Sequence, residues 1–192
     1  MPEAAPTPTP TPAPTPAAAP TPDVVEGWLR ELGLDPPARH ERDGAASWDL
    51  VLDGARRFDV RTTLILEPEA GVVVWVHYAP PIGDSRIRSY RKLLRWNDEI
   101  PFAKFALASD DRPVLTAEVP LALLDSDELG FALARILAVC DLLLEESAGW
   151  IWIGGRIPAV GDRASRGAPL LARYAARLAP LAQHPPLARD RR

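Results

Sequence analysis

The sequence predicts an α+β domain in two layers: an antiparallel five-stranded sheet with helices packed on one face, in the order α-β-β-β-α-β-β-α. Three observations carry this. Apolar residues recur at helical spacing in three separate stretches. Between these stretches the apolar period shortens to two. Clusters of Asp, Gly and Pro punctuate the alternating runs where turns are needed.

The first helix begins near Asp23, a residue able to cap it, and Val24, Val25, Trp28, Leu29 and Leu32 recur at helical spacing until Gly33 and Pro36-Pro37 end it. From Trp48 the chain alternates, with Leu50 and Leu52 on the same face, and Asp53-Gly54 offers a tight turn. A second run follows through Phe58, Val60, Thr62, Leu64 and Leu66, and a third covers 72–78 after a turn at 68–71. Asp84 or Ser85 can cap a second helix with apolar positions Ile87, Tyr90, Leu93, Leu94 and Trp96. A hairpin comes next, with Phe105 and Leu107 leading to a turn at Asp110-Asp111-Arg112 and back through Leu115, Ala117 and Val119 to Pro120. Asp125 and Glu128 form an N-terminal box for the third helix, whose stripe runs Leu129, Leu133, Ile136, Leu137, Cys140, Leu143 and Leu144. Ile136 is expected near the centre of the core, under the hairpin's inward residues Phe105, Leu107, Leu115, Ala117 and Val119.

With 192 residues, 47% of them hydrophobic, the chain can bury one core. Three segments are expected: a disordered Pro/Thr/Ala-rich tail at 1–22, the α+β domain at 23–148, and a Trp-containing, Arg-rich extension at 149–192. The tail could offer a ligand to a proline-binding groove, but its Thr-Pro alternation is that of a spacer. The net charge of −4 hides an asymmetry, because eight arginines from Arg156 onward face only Asp162 and Asp190, giving +6 there and −10 before it. Such a basic segment can attract nucleic acid or anionic lipid, or fold back on the acidic body, and the second is the simpler reading. The single cysteine, Cys140, cannot form an internal disulfide, which fits a reducing cytoplasm. No secretory signal opens the sequence, and the longest apolar stretch, interrupted by Arg135 and Asp141, is too short to span a bilayer.

The stretch Leu93-Leu94-Arg95-Trp96-Asn97, followed by Lys104-Phe105-Ala106-Leu107, the Asp110-Asp111 turn, Val114-Leu115, Val119-Pro120-Leu121 and Asp125-Ser126-Asp127-Glu128-Leu129, resembles the YbjN family of bacterial proteins. The likeness runs from about Asp23 to Glu146. It implies a domain similar to type III secretion chaperones and a role as a sensory transduction regulator, whose chaperone-like relatives bind segments of other proteins, often as dimers. These motifs record architecture rather than chemistry, and neither the Pro/Thr leader nor the segment from Trp150 onward belongs to the pattern.

No catalytic constellation emerges. Of three histidines, His40 and His184 sit in loop-like sequence, and only His77 lies on a strand, with Asp59 and Asp84 as conceivable partners. A strand-end histidine is more often structural. Asp98-Glu99 and Asp110-Asp111 fall where turns are expected, without calcium-loop spacing, and Gly154-Gly155 lacks the features of a phosphate-binding loop. The reading is therefore a non-enzyme without metal or cofactor, acting as a protein-binding or regulatory module that holds a peptide segment or a second copy.

Two surfaces are candidates for that role. The second helix carries Arg86, Arg88, Arg91, Lys92 and Arg95, with 88, 91, 92 and 95 on one face, which is either a solvated face or a contact for an acidic partner. Trp150 and Trp152 alternate with Ile151 and Ile153, so a strand there would put both indoles on one face, as an added sheet edge or as a partner-binding patch. Arg88, Arg91, Arg95, Trp150 and Trp152 are thus the expected partner contacts. Binding of nucleic acid or an anionic surface through the second helix and the arginine tail is the alternative, disfavoured because no aromatic residues interleave the arginines.

Overall fold

The computed structural model describes residues 19–82 and 86–183. Residues 1–18 of the expected leader over 1–22, the caps at Asp84 and Ser85, His184 and the last three arginines lie outside the described residues.

Helix α1 (Pro22–Glu31) starts one residue earlier than expected, with Pro22 in its first turn and Asp23 inside it rather than capping it. Proline suits that position because its missing N–H would have no partner there. Gly33, at φ 75, turns the chain out of the helix. Six strands form one antiparallel sheet in the order β1-β2-β3-β4-β6-β5. They are β1 (Arg39–Arg42), β2 (Ala45–Leu52), β3 (Val60–Glu67), β4 (Gly71–His77), β5 (Lys104–Leu107) and β6 (Pro113–Pro120). The sequence predicts five. The extra one, β1, is Arg-His-Glu-Arg and exposed throughout, so it carries no apolar alternation; it places His40 on a strand rather than in a loop. Its charges, with Arg39 bound to Asp23 at 2.8 Å and close to Glu26 and Glu41, suit an edge that must not recruit another strand.

The expected tight turn at Asp53-Gly54 is instead a loop over 53–59, and Phe58 lies in it rather than on β3. Helix α2 (Arg86–Glu99) buries Ser89, Leu93 and Trp96, while Ile87 and Leu94, expected inward, face solvent. Leu107, also expected inward, is 43% exposed on the edge strand β5.

Helix α3 (Ser126–Leu142) lies across β4 and β6 and is capped by Asp125, whose side chain accepts from the Glu128 N–H at 2.8 Å. Its apolar surface was expected as one stripe, but it is buried nearly all round, from Leu129 to Leu137, Val139 and Cys140. Two layers pack against it. The sheet covers one side, and helices α5 (Ala168–Arg173) and α6 (Ala175–Gln183) cover the other, adding Leu170, Tyr174, Leu178 and Leu181 to the same core. Ile136 is fully buried. Gly130 makes this packing close: a side chain there would collide with the Tyr174 hydroxyl and with Leu32. Helix α4 (Leu144–Ile151) continues α3 after a break at Leu143.

Candidate functional site

The expected partner residues of the second helix lie on its solvent side. Arg88, Arg91 and Arg95 are exposed, and Arg88 and Arg91 make no ion pair among the described residues. Lys92 has a different fate: its Nζ meets Glu146 of α4 at 2.8 Å and stands 5.3 Å above the Trp96 ring. On the same outer side Ile87 and Leu94, two turns apart, are 70% and 67% exposed. An amphipathic helix normally keeps such residues inward, so this is a mixed apolar and basic surface rather than a plain solvated face.

Trp150 and Trp152 do not form a strand. Trp150 is in the last turn of α4 and Trp152 follows it as the C-cap, because helix α3 breaks rather than ends and the chain continues helically to Ile151. Trp150 packs against Trp96 at 5.3 Å between ring centroids, beside Lys92, so α4 is held against α2 through this indole pair. Trp152 is half-buried, and Ile153 after it is fully exposed. The structure thus brings α2 and Trp150 together.

A second surface was not legible in the sequence. Between β6 and α3 lies a groove of about 490 Å³, walled by Phe102, Leu123 and Phe131 and floored by Ala117, Val119 and Ala132. The Arg135 guanidinium stands 5.0 Å from the Phe102 ring centroid and 4.2 Å from that of Phe131. Burial holds its pKa below the ordinary arginine value, against the pull of Glu128. Arg135 forms no ion pair among the described residues.

Among the described arginines after residue 155, Arg163, Arg166, Arg173 and Arg177 pair with carboxylates of the body. Arg166 donates to the fully buried Asp53 through Nε at 2.7 Å and Nη2 at 2.9 Å, and Arg163 reaches Asp53 at 3.2 Å and Asp59 at 2.9 Å. Arg177 meets Asp127 at 2.9 Å and Glu128 at 2.5 Å. Burial alone would raise the Asp53 carboxyl, but hydrogen bonds and charge from Arg166, with the Asp59 and Arg166 N–H groups, hold it well below the usual carboxylate range. Asp141 fixes the same loop from α3, accepting from the N–H groups of Ala55, Arg56 and Arg57 at 2.6 to 2.8 Å.

The histidine considered for catalysis sits elsewhere. His77 is exposed, with Nε2 3.5 Å from the Thr63 hydroxyl, which donates to Asp49, while Asp59 is committed to the arginines. Among the described residues no group of three or more His, Cys, Asp and Glu side chains is placed to hold a metal ion. No helix there is long and apolar enough to cross a membrane.

A family model described as "Putative bacterial sensory transduction regulator", YbjN, matches residues 21–147. The chain belongs to the YbjN family. No curated protein matches it. The family description supports a regulatory role, and the matched span takes in α1, the whole sheet, α2 and α3, while α5 and α6 lie beyond it.

Proposed function

We propose that this YbjN-family chain is a non-catalytic regulatory module that works by binding another protein, and that the outer side of α2 with the adjoining end of α4 is the partner surface. One observation carries the reading: Ile87 and Leu94 are exposed on the same side of α2 as Arg88 and Arg91, which make no ion pair among the described residues. A solvated helix face has no use for two large aliphatic side chains, whereas an acidic amphipathic segment would cover them and meet the arginines. Arg88, Arg91 and Arg95 supply charge, and Trp150, seated on Trp96 beside Lys92, and Trp152 after it are the contacts assigned to the end of α4. The same surface suits a peptide segment or a second copy of this chain.

The full chain as bait, beside Ile87→Ser/Leu94→Ser and Arg88→Glu/Arg91→Glu, tests this. The partner captured by the wild type should be lost by both variants while their melting temperatures stay unchanged, since none of the four side chains is buried. Retention by both variants would refute the assignment. Light scattering after size exclusion separates self-association from a foreign partner: a strict monomer across micromolar concentrations removes the second copy.

A further inference from the structure

Phe102 occupies a backbone conformation that disfavours it. Its φ is 59, in the left-handed region that bulky residues seldom enter, and the residue is 73% exposed. Strain of this kind persists only where the surroundings fix it. Here both flanks are fixed: the Asn97 side chain accepts from the Phe105 N–H at 2.6 Å and donates to its carbonyl at 3.0 Å, and Lys104 Nζ donates to the Asn97 and Ile100 carbonyls.

The turn at Phe102 carries the chain away from β6. The β5·β6 ladder therefore stops at Lys104 opposite Thr116, while β6 runs on to Pro120, paired over that stretch only with β4. The Ala108 N–H donates to the Arg112 carbonyl at 2.9 Å, which sets the phase of the ladder. Alternate residues Val114, Thr116 and Glu118 direct their backbone groups toward the β5 side, and Glu118 lies beyond the last pair. Its N–H and C=O face the groove that Phe102, Leu123, Phe131 and Arg135 enclose.

We propose that this groove binds an extended segment of a partner protein in which a bulky apolar residue is flanked by an acidic one. The apolar side chain enters between Phe102, Leu123 and Phe131, the carboxylate meets Arg135, and the segment's backbone pairs with Glu118. Arg135 feels the charge of Glu128 but forms no ion pair among the described residues, so its guanidinium is left to meet an acid from the segment. The open backbone pair selects an extended chain, and Pro120, which has no N–H to donate, limits the pairing to a short stretch. Glu118 and Glu128 in the lining disfavour a polyanion such as nucleic acid. The groove shares no residue with the α2 surface, so the two can fail separately.

Fluorescence anisotropy of the full chain with a short labelled peptide alternating glutamate with leucine and phenylalanine tests this, beside the same peptide with lysine for glutamate. The glutamate peptide should bind saturably and the lysine peptide more weakly. Arg135→Gln should weaken the glutamate peptide about ten-fold, the worth of one charge-assisted hydrogen bond. Phe102→Gly should weaken it without lowering the melting temperature, because glycine accepts the left-handed backbone freely. Ile87→Ser/Leu94→Ser should leave it unchanged. Equal binding of the two peptides, indifference to both groove substitutions, no saturable binding at millimolar peptide, or a preference for laurate or anionic vesicles over the peptide would each overturn the proposal.

Discussion

Replacing Asp53 with Ala tests how the C-terminal arginines are held. The carboxylate is fully buried and accepts from the N–H groups of Asp59 at 2.9 Å and Arg166 at 3.1 Å as well as from both guanidinium groups. Removing one partner of a buried pair costs about 3 to 5 kcal/mol. Arg163 and Arg166 are 40% and 53% exposed and can turn to water or to Asp59, so much of the loss falls on the two stranded backbone donors, at roughly 1 to 3 kcal/mol each. The expected destabilisation is about 3 kcal/mol, read in urea as a lower midpoint at unchanged slope. In a chain of this size it lowers the melting temperature by about 6 to 12 °C. Asp59→Ala removes an exposed partner of the same arginines and should cost far less. The sign with pH follows from the lowered carboxyl of Asp53. Its contribution is complete above the unfolded value of about 3.9 and fades as the pH falls toward the folded value. The gap between wild type and Asp53→Ala should therefore begin to narrow only below about pH 4 and go on closing as the pH falls further. If Asp53→Ala costs no more than Asp59→Ala at neutral pH, the buried carboxylate is not the anchor and the reasoning fails.

Ile136→Ala, at a fully buried position beneath the sheet, should lose about 2 to 5 kcal/mol in chemical denaturation, and a loss under 1 kcal/mol would move the core elsewhere. Gly130→Ala should destabilise despite the better helix propensity of alanine, because the new methyl meets Tyr174 and Leu32, and Tyr174→Phe should restore part of the loss when the two are combined. Burial raises the Cys140 thiol to about 11, so iodoacetamide at pH 8 should label it only on unfolding; rapid labelling of the native chain would contradict its burial.

What the sequence revealed was local. The Asp125 cap, the period of the strands and the apolar run of α3 are written within a few residues of where they act, so α3 and the β2, β3, β4 and β6 strands are legible. Strand β1 was not, since Arg39 to Arg42 are charged on both faces and an edge strand needs no apolar alternation. Trp150 and Trp152 alternate with isoleucine, a period that suggests a strand, but the helix runs on to Ile151, with Trp150 packed on Trp96, and only Trp152 is extended. Leu170, Tyr174, Leu178 and Leu181 are spaced as a helical stripe, a signal that could have revealed α5 and α6. The all-round apolar character of α3 pointed the same way, because such a helix needs cover on both sides. The groove had no local signal. The turn at Phe102 is held by side chains within 97–105, but Arg135 comes beside its ring only through a contact between residues far apart in sequence.

The Gly130 and Tyr174 contact has a consequence for how the molecule can be divided. The family match stops at residue 147, but Phe131 packs against Tyr174, tilted, at 5.9 Å between centroids, and Leu137 lies against the position that Gly167 keeps narrow. The unit of descent is therefore shorter than the unit that excludes water. A fragment cut at the edge of the first would bare the back of α3 and carry, as a sticky surface, the very residues that make the intact chain hold together.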